Sequence, residues 1–123
     1  MSKPPDARYT IAVDFDGVLH SYTAPWINEH TIPDPPVPGA IEWLIETSKH
    51  LDVVIFTTRA RTVAGKLAVR GWLRMHGVAV EESEITNEKP PALVYLDDRA
   101  MRFEGPSSWP SVEKILAARP WNK

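Results

Sequence analysis

The chain has 123 residues, of which 43% are hydrophobic and 24% charged, with a net charge of -2 and no cysteine. That length accommodates one domain with a single core, the charge balance argues against broad electrostatic binding to nucleic acid, and the missing cysteines exclude disulfides, thiolate metal sites and thiol nucleophiles. No apolar run approaches the ~20 residues of a membrane span and the N-terminal residues lack the apolar centre of a signal peptide, so a cytoplasmic location is expected.

Residues 1–8 are polar and proline-rich and are expected to form a disordered arm ahead of one domain over residues 9–123. The first strand is predicted over Thr10 to Val13, small or β-branched and uncharged, as suits a parallel sheet covered on both faces. Asp14 and Asp16 follow immediately. Side chains alternate along a strand, so the two carboxylates start on one side, and Gly17 lets the backbone turn away behind them. Residues 18–38 carry Tyr22, Trp26 and five prolines, and are read as a hairpin-like flap with an extended link, hanging over the acid pair.

A helix is predicted over residues 39–50, with Ile41, Leu44 and Ile45 on one stripe. Leu51 to Phe56 is the second strong strand and ends in Thr57-Thr58-Arg59. A helix over residues 62–76 follows, closed by Gly77. A weak strand is read over residues 84–86 and a fourth over Leu93 to Leu96, ending in Asp97-Asp98-Arg99. Met101 to Phe103 reads as a short fifth strand, and residues 108–118 as a last helix with Pro110 in its first turn. Trp43, Trp72, Trp109 and Trp121 are assigned to packing. Strands alternating with helices predict a three-layer α/β/α, Rossmann-like parallel sheet.

In a parallel sheet the strand ends share one edge, where ligands bind. Asp14, Asp16, Thr57, Asp97 and Asp98 therefore converge, with Lys89 just before the fourth strand. Such a collection has chemical sense for a phosphate held with Mg²⁺, because that ion takes hard oxygen ligands while a hydroxyl and an ammonium hold the remaining phosphoryl oxygens. An EF-hand is excluded by the strand before Asp14 and by Leu19 where its glycine is needed, and a P-loop NTPase by the lack of the glycine-rich lysine motif.

Asp14-Phe15-Asp16-Gly17-Val18, an apolar strand ending in Thr57, then Lys89, then an apolar strand ending in Asp97-Asp98 resemble, in order, the four motifs of the haloacid dehalogenase-like (HAD) hydrolase superfamily. The likeness spans residues 11–98. Thr57-Thr58-Arg59 and Asp97-Asp98-Arg99 are also similar, on fewer residues, to the corresponding segments of polynucleotide 3′-phosphatases. The resemblance implies an Mg²⁺-dependent phosphomonoester hydrolase in which Asp14 forms an aspartyl-phosphate and Asp16 acts as general acid and base. It implies an ion held by the Asp14 carboxylate, the Asp16 backbone carbonyl and Asp98, with Asp97 bonded to it directly or one ligand removed. Thr57 and Lys89 then grip the phosphoryl group, and Thr58 and His20 meet the substrate. Arg59 is read either as a substrate-phosphate contact or as the partner of a nearby acid, and Arg99 as a structural group.

Lys89 stands too close to the fourth strand for a helix between the third strand and it, and no cap domain is inserted. The site is therefore expected to be open, for a phosphorylated small molecule, nucleic acid end or phosphoprotein, or to be covered by a partner subunit. Two other functions share these residues: a phosphate-binding regulatory module without turnover, and phosphoryl transfer to an acceptor other than water.

Overall fold

The computed structural model describes residues 8–121, so all of the expected N-terminal arm except Arg8 lies outside the described residues. Four parallel strands form one sheet: β1 (Thr10–Asp14), β2 (Asp52–Phe56), β3 (Ile85–Thr86) and β4 (Tyr95–Leu96), in the spatial order β3-β2-β1-β4. Helices α1 (Ala40–Ser48), α2 (Val63–Met75) and α3 (Val112–Ala117) accompany it, and a 3-10 turn covers Thr58–Arg61. The molecule is thus a small α/β fold. No helix among the described residues is long and apolar enough to cross a membrane.

The two uninterrupted apolar runs occupy the centre of the sheet. β1 and β2 pair over five residues, from Thr10 opposite Asp52 to Asp14 opposite Phe56, and bury Ile11, Ala12, Val13, Val53 and Ile55. Leu44 of α1, Val69, Trp72 and Leu73 of α2, and Phe15 and Leu19 from the chain after β1 close over them. Each such side chain contributes about 1.5–3 kcal/mol relative to an exposed one, and this cluster fixes the sheet whose upper edge carries the polar groups.

Several predicted elements come out differently. The hairpin-like closure of the 18–38 flap is reduced to one antiparallel bridge between His20 and Pro36, flanked by the Ser21 N–H to the Pro35 carbonyl at 3.0 Å and the Val37 N–H to the Leu19 carbonyl at 2.9 Å, because its prolines cannot donate to a longer ladder. The fourth strand is regular only over Tyr95–Leu96, although its hydrogen bonds to β1 begin two residues earlier: the Leu93 N–H donates to the Thr10 carbonyl at 2.8 Å and the Val94 carbonyl accepts from the Ala12 N–H at 3.0 Å. Residues 101–103 form no strand; so short an edge offers no ladder to extend, and the Phe103 ring packs instead on Trp109 at 4.6 Å. The last helix starts later, with Ser111 rather than Ser108 as its cap: Ser111 Oγ accepts from the Lys114 N–H at 3.1 Å, whereas Ser108 closes a turn with Gly105. Pro110 therefore precedes the helix. Of the four tryptophans assigned to packing only Trp72 is buried; Trp43, Trp109 and Trp121 are exposed. As its spacing predicts, the link between β3 and β4 contains no helix.

α2 meets the 3-10 turn at Gly65, where a Cβ would lie 1.9 Å from the Arg59 carbonyl oxygen, while at Gly71 of the same helix a Cβ would meet nothing within 4 Å. The two glycines therefore give opposite signs. Gly71→Ala is expected to stabilise by ~0.5–1 kcal/mol from helix propensity alone, and Gly65→Ala to destabilise by ~1–3 kcal/mol as the turn is forced away. Urea unfolding of the two variants reads both.

Candidate functional site

Val13 stands opposite Leu96, so the next residues, Asp14 and Asp97, leave two neighbouring strands side by side. Asp98 joins them, and the three carboxylates offer ligand atoms all within 4.8 Å of one another. The chain makes room for this. Gly17 has φ 85°, and a Cβ there would lie 2.2 Å from Asp98 Oδ2, so only glycine lets the Asp98 carboxylate lie against the turn after β1. Trp121 Nε1 donates to the Gly17 carbonyl at 2.6 Å and ties the end of the described chain to that turn.

Asp14 Oδ1 accepts from the Phe15 N–H at 2.9 Å. Burial, the Asp97 charge and a hydrogen bond with Asp98 together push the Asp14 carboxyl up to about 8, against the opposing pull of that N–H. Asp98 Oδ1 is buried without a hydrogen-bond partner. No lysine, arginine or histidine makes an ion pair with Asp14, Asp97 or Asp98 among the described residues. Crowded hard oxygens, one of them orphaned, fit a divalent cation such as Mg²⁺.

Asp16 faces a different set of partners. The buried Arg59 donates from Nε to both of its oxygens, at 2.8 and 3.1 Å, and the His20 Nδ1–H donates to Oδ1 at 2.8 Å. Arg59 Nη1 donates to the carbonyls of Asn28, Glu29 and Thr31 at 3.0, 3.1 and 3.0 Å, and its guanidinium lies 4.5 Å from the centre of the Trp26 ring. Of the two sequence readings of Arg59, the geometry is that of the acid partner. His20 is likewise fully buried: its Nε2 accepts from the Asp34 N–H at 3.0 Å and its ring stacks on Phe15. The expected substrate contacts of His20 and Arg59 are thus replaced by a lock that fastens the 18–38 loop onto Asp16. The acid partnership of Arg59 was one of the two sequence readings, but its hold on the loop was not foreseen, because the carbonyls involved lie about thirty residues from Arg59.

A cavity of about 300 Å³ opens between these groups. Asp14, Asp16, Thr57, Thr58 and Asp97 line it, with Tyr22, Trp26, Phe56 and Arg99. Thr57 Oγ1 accepts from the Arg59 N–H at 3.2 Å, a bond that leaves its hydroxyl proton unused. Asp98 is outside this wall, behind Gly17. Lys89 is also outside it: exposed, with Nζ 4.6 Å from the centre of the Tyr95 ring. The cation that does line the cavity is Arg99, whose backbone N–H is fixed by Asp97 Oδ1 at 2.7 Å and whose guanidinium makes no ion pair among the described residues. Arg99, Tyr22, Trp26 and Phe56 are the wall residues that the motifs alone left out of the site. Comparison with family models, with curated proteins and with solved structures found no match.

Two outcomes follow. Arg59→Met leaves the Asp16 carboxylate and three loop carbonyls without a donor and is expected to cost about 3–5 kcal/mol in urea unfolding. For Asp14 the sign is set by a folded-state value above the usual 3.8: without divalent ions, stability is fully present at acid pH and falls as pH rises from about 4 to about 8. Thermal melts across that range are expected to show the fall in the parent chain, a flatter profile in Asp14→Asn, and a rise in Tm on adding Mg²⁺ that is larger at pH 8 than at pH 5.

Proposed function

We propose that this chain is a capless, HAD-type, Mg²⁺-dependent phosphomonoester hydrolase that works through an aspartyl-phosphate on Asp14. The observation that carries the reading is the meeting of Asp14 with Asp97 and Asp98 at the ends of two adjacent parallel strands, beside a cavity that Thr57 also lines. The motif order along the chain supports it, as does the orphaned Asp98 oxygen.

Asp14, Asp97 and Asp98 would hold the ion, which when bound offsets their mutual repulsion and the charge of the phosphoryl oxygens. The Phe15 N–H fixes Asp14 Oδ1 and leaves Oδ2 as the attacking atom. Oδ2 forms a bond to phosphorus as the P–O ester bond breaks, and the leaving oxygen takes a proton from Asp16, the acid of the cavity wall that stands outside the Asp14, Asp97 and Asp98 cluster. A water then attacks the phosphorus of the Asp14 acyl phosphate, passes a proton to Asp16, and breaks the P–Oδ2 bond to release inorganic phosphate. The Thr57 hydroxyl and the Arg99 guanidinium are the donors on hand for the phosphoryl oxygens, Arg99 standing where Lys89 was expected to act. Trp26 and Tyr22 in the wall support a leaving group that carries a ring, such as a nucleotide or a nucleic acid 3′-phosphate. The outward position of Lys89 is the one observation that favours the alternative, a phosphate-binding module without turnover.

Phosphate release from p-nitrophenyl phosphate with Mg²⁺, lost by at least about a thousandfold in Asp14→Asn, is the expected result; no turnover of aryl phosphates, nucleotides, 3′-phosphorylated oligonucleotides or sugar phosphates would leave the binding module. Added alcohols that capture most of the phosphoryl group would instead indicate a transferase. Asp16→Asn is expected to slow alkyl phosphates, whose leaving oxygen needs a proton, by at least tenfold more than aryl phosphates. Equal losses would reduce Asp16 to positioning.

A further inference from the structure

Among the described residues Tyr22 is the one non-glycine with a positive φ, 53°. A bulky side chain strains that left-handed backbone, whereas glycine adopts it freely. The loop clamps the residue on both sides: the Ser21 N–H donates to the Pro35 carbonyl at 3.0 Å, and the Thr23 and Ala24 N–H groups both donate to Asp34 Oδ2 at 2.9 Å. The Asp34 N–H in turn donates to His20 Nε2 at 3.0 Å, so the clamp is continuous with the lock on Asp16. Strain of this kind persists where the surrounding structure over-determines it, and it collects at positions where a site needs a particular side chain. The half-buried Tyr22 stands at such a position, in the wall of the cavity with Asp14, Thr57, Arg99 and two further aromatics, Trp26 and Phe56, and the buried His20 ring braces it with centroids 6.1 Å apart.

We propose that Tyr22 is the specificity-determining residue of this cavity, its backbone held in the left-handed region so that its ring meets a planar ring carried by a small phosphate monoester. The inference rests on reading the cavity as a phosphate-ester site and narrows what enters it. A volume of about 300 Å³ is at the low end of the ~300–1,000 Å³ of small-molecule pockets and accommodates a phosphoryl group with one ring rather than a length of chain. Ring contact of this kind discriminates by face and area, so it selects esters bearing an aryl ring or a nucleobase over those without a ring.

Phosphonates resist hydrolysis, so calorimetric titration with Mg²⁺ reads this preference whether or not the chain turns over esters. Phenylphosphonate or an acyclic adenine phosphonate is expected to bind the wild-type chain at least about tenfold more tightly than methylphosphonate, the tighter of the two naming the source of the ring. Tyr22→Phe is expected to keep that ratio, and Tyr22→Gly and Tyr22→Ala to reduce it below about threefold. Both of these lose the ring, so the higher urea midpoint expected for Tyr22→Gly than for Tyr22→Ala isolates the backbone strain. No ring preference in the wild type, a ratio that survives Tyr22→Gly, lower stability in Tyr22→Gly with the ratio unmoved, or no binding of any phosphonate would overturn the proposal. Turnover of p-nitrophenyl phosphate without a ring preference leaves the hydrolase standing and removes the role of Tyr22. A ring preference that depends on Tyr22, in a chain that turns nothing over, does the reverse.

Discussion

Three carboxylates drawn from the ends of two neighbouring strands cannot all carry their charge in one half-buried corner unless something positive joins them. In this chain no basic side chain pairs with Asp14, Asp97 or Asp98 among the described residues. The consequence is visible on Asp14, whose carboxyl is held at about 8, and on Asp98, whose Oδ1 is buried and unpaired. Much of the surrounding structure serves this crowding: the parallel register that sets Asp14 beside Asp97, and the left-handed glycine that admits Asp98.

A second charged centre lies a few residues away and obeys the opposite rule. Asp16 is fully engaged, by Arg59 and by His20, and Arg59 in turn gathers three carbonyls of the proline-rich loop. Removing one member exposes the others to the cost of an unpaired buried charge, so this lock holds the loop over the cavity while the neighbouring acids remain available. Alternate positions of one strand end, residues 14 and 16, thus belong to two environments: one short of positive charge, the other saturated with it.

The parts of the fold legible in the sequence were those set by local pattern. Two continuous apolar runs became the central strands, and α2 was bounded by Thr62, whose side chain accepts from the Gly65 N–H, and by Gly77 at φ 90°. The misread parts depend on what lies beside them. β4 is regular over two residues although its hydrogen bonds to β1 begin at Leu93, and residues 101–103 look like a strand with no ladder to join. In the site, the convergence of Asp14, Asp97, Asp98 and Thr57 followed from strand ends sharing an edge. The burial of Arg59 and His20 did not, since it is made by a loop whose path no periodicity encodes. Lys89 was placed by motif order, and its ammonium lies over Tyr95 instead.

The account rests on Asp14 and Asp98 sharing one divalent ion, and anomalous diffraction from crystals grown with Mn²⁺ as a stand-in for Mg²⁺ tests that most directly. A single peak within about 2.0–2.4 Å of a carboxylate oxygen of each residue, absent from Asp98→Asn crystals of the same form, is the result predicted. Crystals that hold Mn²⁺ elsewhere, or none at millimolar concentration with both carboxylates in place, would contradict it.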